Sequence, residues 1–476
     1  MQPELDLFVV DRGSVTAPAG CGKTHLIADT LALHLGPKRV LVLTHTNAGA
    51  AALRQRLKKA GIGSAAFRVS TIDGFVMRLI AMFPMRSAID PRILEISNPG
   101  NDYPAIRDAA LGLLQAGHLS TALRATYARV IVDEYQDCNL VQHGIVDALA
   151  ADLPTVVLGD PMQAIFGFAG NRLVSWGRDV VPRFPPIGDL SSPWRWINSG
   201  AEELGRWLLY ARAELQAGRG IDLRAAPTGL QWVQLVAANL IDGRRIAAHT
   251  RLQDGEETVL IIGDARNPRG RHQFTSQMRG ATSVETADLG DLTSFARRFD
   301  LTRADALEHL VNFAADVMTG VGAVAFLGRI KTLQGGRARN LATAAEAAAL
   351  AFAARPDLSA TMHLLQQLEG QDGARVYRPE MLHCCRSAMR AVSDDRTFLD
   401  AVLQARERNR HHGRPVSRRA VGSTLLLKGL EADVAVILQP EQMDACNLYV
   451  ALTRGAKRVL VCSESSLLRP CRPGCR

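Results

Sequence analysis

Val15-Thr16-Ala17-Pro18-Ala19-Gly20-Cys21-Gly22-Lys23-Thr24 is the stretch that decides the reading of this chain. The apolar run Leu7 to Val10, resumed at Val15, predicts a strand that leads into a turn of small residues. From Thr24 through Leu35 the pattern has helical period. Small residues let backbone N–H groups crowd around phosphate oxygens, and the start of the following helix adds partial positive charge. Ala17, Pro18, Ala19, Gly20, Cys21, Gly22, Lys23 and Thr24 are therefore the candidate nucleotide-binding residues. Lys23 is expected to reach the β- and γ-phosphates, and the Thr24 hydroxyl to sit on Mg²⁺. Ala17 occupies the first position of the pattern, where glycine is usual, and is similarly small.

Working outward, Arg39 to Leu43, Val130 to Val132 and Thr155 to Leu158 are short apolar runs. Helical patterns such as Ala48 to Lys58 separate them. Buried runs alternating with helices imply a parallel sheet covered on both faces, with functional residues at the C-terminal ends of its strands. A mostly helical insert is expected near residues 80–125. From Trp207 to about Ser417 the pattern is mixed, with a strand at Thr258 to Ile262 and an alanine-rich helical region. Asn267 to Gly270 and Gly370 to Gly373 read as loops, and the basic run Arg406 to Arg419 as a linker or exposed loop. A last α/β pattern follows: apolar runs at Thr424 to Leu427 and Val434 to Leu438, a helix near Met443 to Arg454, and a strand at Arg458 to Cys462.

The chain of 476 residues is long enough for two or three domains. It has no apolar run of membrane-span length. The first residues lack a basic region followed by an apolar segment, so a soluble, cytoplasmic protein without membrane partners is expected. A net charge of +9 favours a polyanionic partner, and only seven of the 56 basic residues are lysine. Arginine suits bidentate phosphate contacts. The eight cysteines are scattered without a four-ligand metal pattern and read as thiols of a reducing compartment.

Ile131-Val132 runs into Asp133-Glu134-Tyr135-Gln136-Asp137. A strand ending in Asp-Glu is what a nucleotide hydrolase needs opposite its phosphate loop. Asp133 would hold Mg²⁺ through water, and Glu134 would polarise the attacking water. A third strand is followed by Gly159-Asp160-Pro161-Met162-Gln163-Ala164-Ile165-Phe166-Gly167-Phe168. Gln163 could sense the γ-phosphate and position water. Phe166 and Phe168, alternating around Gly167, could present rings as a stacking platform for bases, worth about 1–3 kcal/mol per base.

The order and content of these motifs resemble the UvrD/Rep-like superfamily 1A DNA helicases. The similarity covers about the first 200 residues and roughly the last 60. Thr44-His45-Thr46-Asn47-Ala48-Gly49-Ala50-Ala51 corresponds to the family's Thr-Phe-Thr-Asn-Lys-Ala-Ala motif, which contacts single-stranded DNA. Ser70-Thr71-Ile72-Asp73-Gly74-Phe75 matches the next DNA-contacting motif. The resemblance thus implies DNA contacts at Thr44, His45, Asn47 and Thr71. Pro193-Trp194-Arg195-Trp196 resembles the Asn-Tyr-Arg-Ser element, whose arginine approaches the γ-phosphate. Lys428-Gly429-Leu430-Glu431 matches a motif whose glutamate binds ribose. Tyr449-Val450-Ala451-Leu452-Thr453-Arg454 matches the last motif, making Arg454 the candidate arginine finger. Glu134, Gln163, Arg195 and Arg454 are then the candidate catalytic residues, with Thr24 and Asp133 on the metal.

The resemblance implies an α/β fold of two RecA-like parallel-sheet cores with mostly helical inserts. The first core is expected at 1–200, with its insert near 80–125. The second is expected at 201–476, with a largely helical insert near 300–415. It implies ATP and Mg²⁺ as cofactors, and DNA-stimulated hydrolysis driving 3′-to-5′ movement on single-stranded DNA or on DNA with a 3′ tail. The alternative is an ATP-binding, DNA-sensing subunit that regulates a separate nuclease and unwinds little. The chain departs from the family at His45 (usually Phe), Ala48 (usually Lys), Asp73 (commonly His) and Leu425 (a DNA-facing His). These changes touch the nucleic-acid groove more than the ATP site. Only Gln2 lies at a plausible distance to serve as the adenine-reading glutamine. The inserts look reduced, and with so short a stretch after Arg454 no nuclease domain is expected there. Such a compact form is similar to helicase-like subunits that work beside a separate nuclease, as in Gabija-type anti-phage systems.

Overall fold

The computed structural model describes residues 5–167, 171–286, 288–411 and 417–471. Two six-stranded parallel sheets organise them, in the manner of two RecA-like cores. The first sheet contains β1 (Arg12–Thr16), β2 (Arg39–Thr44), β3 (Phe67–Thr71), β4 (Tyr127–Val132), β5 (Thr155–Gly159) and β6 (Pro186–Asp189), in the order β3-β2-β4-β5-β1-β6. All of its pairings are parallel. Alternation along each central strand feeds two different cores. Leu41, Leu43, Val130, Val132 and Val157 pack on one face with Phe75, Ile106 and Ile145. Val40, Val42, Ile131, Val156 and Leu158 pack on the other with Ile27, Leu31 and Leu53. Strands buried on both sides read as continuous aliphatic runs, which is why they are visible in the sequence.

The later strands are β7 (Ile221–Asp222), β8 (Leu230–Gln234), β9 (Val259–Ile262), β10 (Thr282–Ser283), β11 (Met318–Thr319), β12 (Arg375–Val376), β13 (Arg419–Gly422), β14 (Ala432–Ile437), β15 (Gly455–Ser463) and β16 (Leu467–Leu468). The second large sheet has the order β10-β13-β9-β14-β15-β8, while β7–β16 and β11–β12 are short antiparallel pairs. By compactness the chain divides into residues 1–238 with 428–476, and residues 239–427. In the second unit, helices between residues 290 and 411 enclose a core of their own, with Phe295 stacked on Phe313 at 4.3 Å and on Phe299 at 4.8 Å. No helix among the described residues is long and apolar enough to cross a membrane.

Two local readings change. The run Leu7 to Val10 is not part of the first strand, which begins at Arg12. Its carbonyls are taken instead by the buried Arg129 guanidinium, which donates to Leu7 O, to Val10 O at 2.8 Å and to Phe8 O at 2.9 Å. A cation that satisfies three backbone acceptors removes the need for a strand partner. The second change concerns Asn267 to Gly270, which opens a helix, Pro268–Gln277. Asn267 caps it by accepting from the Gly270 N–H at 2.7 Å, and Pro268 takes the first turn, where its missing N–H costs nothing. Of the basic run Arg406 to Arg419, the first residues continue the helix Phe398–His411, the last begins β13, and 412–416 lie outside the described residues.

Candidate active site

The turn between β1 and the helix α1 (Lys23–Ala32) sits where a parallel sheet presents its C-terminal edge. Gly20 and Gly22 adopt φ of +71° and +87°, the left-handed region that glycine enters without strain. Space demands glycine as well. A Cβ at Gly20 would stand 2.5 Å from the Trp196 ring, and one at Gly22 3.0 Å from Trp194 Cδ1. Ala17, Ala19 and Cys21 are buried, and the loop is tied back by the Ala17 N–H to Gly159 O at 2.8 Å. Gly22 caps α1, so the first free amides of that helix and the Lys23 side chain share one end.

Lys23 Nζ lies 2.9 Å from Asp133 Oδ1 and 2.5 Å from Glu134 Oε1. Asp133 follows the last residue of β4, and Glu134 is held at φ +56°, an unusual backbone for a residue with a side chain. The Glu134 N–H donates to Asp133 Oδ1 at 2.9 Å, and its carboxylate accepts from Gln136 Nε2 at 2.6 Å. Burial works against all three charges, but their mutual attraction sets the outcome for two of them. Burial pushes the Lys23 ammonium down, yet Asp133 and Glu134 hold it above its ordinary value. Burial pushes Glu134 up, yet Lys23 and then Lys428 bring it down to about 2. Asp133 stays raised, because burial and the Glu134 charge outweigh Lys23. No group of three or more His, Cys, Asp or Glu side chains fit to hold a metal occurs among the described residues.

Arg195 and Arg454 come to the same lobe from segments far apart in sequence. The short helix Trp194–Asn198 is anchored by the fully buried Trp196, whose indole donates to Gly455 O at 3.0 Å. Arg195 N–H donates to Gly20 O at 3.0 Å, within the phosphate loop. Its guanidinium pairs with Glu431 at 2.5 Å and donates to Thr453 O at 2.7 Å. Arg454 is only 2% exposed. It donates to Val450 O at 2.9 Å, Leu430 O at 3.0 Å and Thr453 Oγ1 at 3.2 Å, and no carboxylate among the described residues pairs with it. Burial and the neighbouring Arg195 charge lower it to about 10, with Glu431 and Glu134 opposing.

Gln163 closes a 3₁₀ turn after β5, buried, with Nε2 donating to Asp160 Oδ2 at 3.0 Å. The half-buried Phe166 ring lies 5.6 Å from the His45 ring, tilted 43°, and 4.7 Å from the Lys428 ammonium. Phe168 and Gln2 lie outside the described residues. His45 and Thr44, at the end of β2, each carry a buried side-chain atom, Nδ1 and Oγ1, with no hydrogen-bond partner among the described residues. Burial lowers His45 to about 4, with Asp73 opposing and Lys428 and Arg107 assisting, so its ring is neutral at pH 7. Asn47 starts the helix α2 (Asn47–Lys59) behind Thr46, which caps it. Thr71 caps α3 (Ile72–Met82) by accepting from the Gly74 N–H at 2.9 Å. Asp73, one of the departures from the family pattern, makes a two-pronged pair with Arg107, both contacts at 2.7 Å.

Three features of the site were not singled out from the sequence. The Tyr449 hydroxyl accepts from the Ala19 N–H at 3.1 Å, inside the phosphate loop. Arg212 clasps the fully buried Asp160 at 2.7 and 3.1 Å. Lys428 Nζ pairs with both oxygens of Asp137 at 2.6 and 2.7 Å. Tyr449, Lys428 and Asp137 stand inside motifs that are legible in the sequence, so their types were visible but their partners were not. Nothing in the sequence marks Arg212.

Residues 10–98 and 101–174 match the family model described as the UvrD/REP helicase N-terminal domain. Among solved structures, the chain is similar to the complex of Arterivirus nonstructural protein 10 (helicase) with DNA. The identity is 8% and the TM-score 0.32, over 95% of this chain and 61% of that one. The chain thus spans about three fifths of that structure's length. No curated protein matches it.

Proposed function

We propose, from the premise that residues 10–98 and 101–174 form a UvrD/REP-type helicase domain, that this protein is an ATP-driven DNA translocase. In this reading nucleic acid stimulates hydrolysis, and the motion runs 3′ to 5′ on single-stranded DNA or from a 3′ tail. The observation that carries the reading is the meeting of Lys23, Asp133 and Glu134 at the end of β4, beside the loop to which the main-chain N–H of Arg195 is bonded. Phosphoryl transfer needs positioned cations and an oriented water more than covalent chemistry.

ATP with Mg²⁺ supplies the γ-phosphoryl group and a metal that neutralises its charge. Lys23 and the loop amides from Ala17 to Thr24 hold the phosphates. Thr24 and Asp133 hold the metal, and Glu134 keeps a deprotonated carboxylate to orient water. Gln163 lies next to that water site through Asp160 and Gln136. Arg195 and Arg454 meet the charge that develops on the γ-phosphoryl oxygens, and Glu431 meets the ribose. Trp194 is 41% exposed beside Gly22. Thr44, His45, Asn47, Thr71 and Phe166 line the nucleic-acid side, and Phe168 belongs with them by sequence.

The test is a strand-displacement assay on a duplex with a 3′ or a 5′ tail, run beside ATP hydrolysis with and without single-stranded DNA. Lys23→Ala and Glu134→Gln serve as inactive controls. ATP-dependent displacement from the 3′ tail, lost in both variants, is the expected result. Strong DNA-stimulated hydrolysis without displacement favours a sensing subunit that works beside a separate nuclease. No hydrolysis at all in the unaltered protein removes the motor reading.

A further inference from the structure

We propose that Lys428 and Asp137 are the positioning pair through which nucleic acid at Phe166 changes the hydrolysis rate at Glu134. The inference rests on the function proposed above and adds the route by which its two sites communicate. Asp137 lies three residues past Glu134, at the end of the turn Tyr135–Asp137. Lys428 comes from the far end of the chain, and both side chains are almost wholly buried, 8% and 2% exposed. The ammonium has three hydrogens. Two point to the Asp137 oxygens at 2.6 and 2.7 Å, and the third goes to the Gln163 carbonyl. The Phe166 ring covers it at 4.7 Å. One cation therefore binds the loop that follows Glu134 to the loop that carries Phe166, with every donor used.

That arrangement has an electrical consequence. After Lys23, Lys428 is the largest positive influence on the Glu134 carboxylate. A base that stacks on Phe166 shifts the ring, the Gln163 carbonyl and the ammonium together, because a buried ammonium cannot leave its partners without a large desolvation cost. The Lys428 charge then moves relative to Glu134, and so does the Asp137 end of the Glu134 loop. Phe166 is already held between Lys428 and the neutral His45 ring, so an arriving base meets a ring whose neighbours transmit its displacement. A pair that served folding alone would lower basal and stimulated rates together. A coupling pair changes their ratio.

The experiment uses the full chain and its Lys428→Met, Asp137→Asn and Lys428→Arg variants. Steady-state ATP hydrolysis is measured without nucleic acid and across a titration of oligo(dT). Lys428→Met and Asp137→Asn are expected to lower the stimulation ratio about tenfold, within the usual range of coupling between sites, whatever the change in basal rate. Lys428→Arg, which keeps the charge, is expected to recover part of the ratio. An unchanged ratio in Lys428→Met, or basal and stimulated rates that fall in proportion, overturns the inference. If Lys428→Met does not fold, Lys428→Arg and Asp137→Asn decide it, and an unchanged ratio in both overturns it. If the unaltered protein itself is not stimulated, the proposed function falls and the inference falls with it. A stimulated parent with an unaffected Lys428→Met removes the inference alone.

Discussion

Lys23→Ala is the usual way to silence a phosphate loop, but here it should also destabilise the fold itself. Lys23 and Asp133 are 12% and 11% exposed, and Glu134 33%, so the ammonium is the main compensation for one nearly buried carboxylate and one partly exposed one. At 2.9 and 2.5 Å, and at an effective dielectric of about 20, each contact is worth roughly 6 kcal/mol before desolvation is subtracted. Breaking a buried pair by deleting one partner typically costs about 3–5 kcal/mol, and the partial exposure of Glu134 argues for the lower end. A loss of about 3 kcal/mol corresponds to a melting point lower by about 3 °C in a protein of 476 residues. The sign with pH follows from the carboxylates. Lys23 brings Glu134 down to about 2, so its stabilisation is complete above the ordinary glutamate range and is lost as pH falls toward 2. Without Lys23 both carboxylates move up, and the deficit is greatest at neutral pH and shrinks toward pH 4. Thermal melts of parent and Lys23→Ala at several pH values, without nucleotide, read this directly. A melting point unchanged at pH 7.5, or a deficit that does not shrink in acid, would refute the reasoning.

Arg212→Ala leaves the fully buried Asp160 without its guanidinium and loosens Gln163, which bonds the same carboxylate. A stability loss of about 3–5 kcal/mol by chemical denaturation is expected, and Arg212→Lys should recover only part of it because two donors become one. Gly22→Ala must accept φ of +87° and a Cβ 3.0 Å from Trp194; nucleotide binding by calorimetry should weaken by roughly tenfold or more, given a strain of about 1–3 kcal/mol. Burial pushes the Asp137 carboxyl up to about 7 from an ordinary 3.8, against Lys428 and with the help of Glu134. The folded chain then holds a proton that the unfolded chain has released, so this residue makes stability decline as pH rises from about 4 to about 7. Asp137→Asn should flatten that part of the melting-point profile.

Much of the first sheet was readable because its strands are short, aliphatic and buried on both faces. Val40 to Leu43, Val130 to Val132 and Val156 to Leu158 carry that signal with few polar interruptions. The turn from Ala17 to Gly22 was readable for another reason, since its left-handed backbone and the tryptophans packed on it require glycine at Gly20 and Gly22. What could not be read was pairing across long separations. Tyr449 meets Ala19 across 430 positions and Lys428 meets Asp137 across 291; sheet order decides such meetings, and no local pattern encodes it. Leu7 to Val10 misled because apolar alternation says nothing of an arginine elsewhere that takes the carbonyls. Asn267-Pro268 misled because the same two residues favour a turn and the start of a helix.

The cations that the proposed function assigns to the nucleotide differ in their partners within the chain. Lys23 is paired with Asp133 and Glu134, and Arg195 with Glu431, so each must exchange a carboxylate for a phosphate oxygen. Arg454 has no such partner among the described residues. Its guanidinium is satisfied by carbonyls and a hydroxyl and destabilised by burial and by Arg195. An anion that arrives beside it therefore gains attraction without first breaking an ion pair, whereas at Lys23 and Arg195 the gain is offset by the pair given up. Glu134 and Glu431, released by that exchange, are the two carboxylates assigned to water and ribose. Nucleotide binding and the freeing of those groups are in this arrangement one event, and Arg454 is the residue whose charge is uncommitted before it. Neutralising Arg454 should consequently cost more nucleotide affinity than neutralising Arg195, although Arg195 makes the stronger contacts within the chain. Equal losses measured by calorimetry for Arg454→Met and Arg195→Met would show that the ion pair at Arg195 imposes no cost on binding.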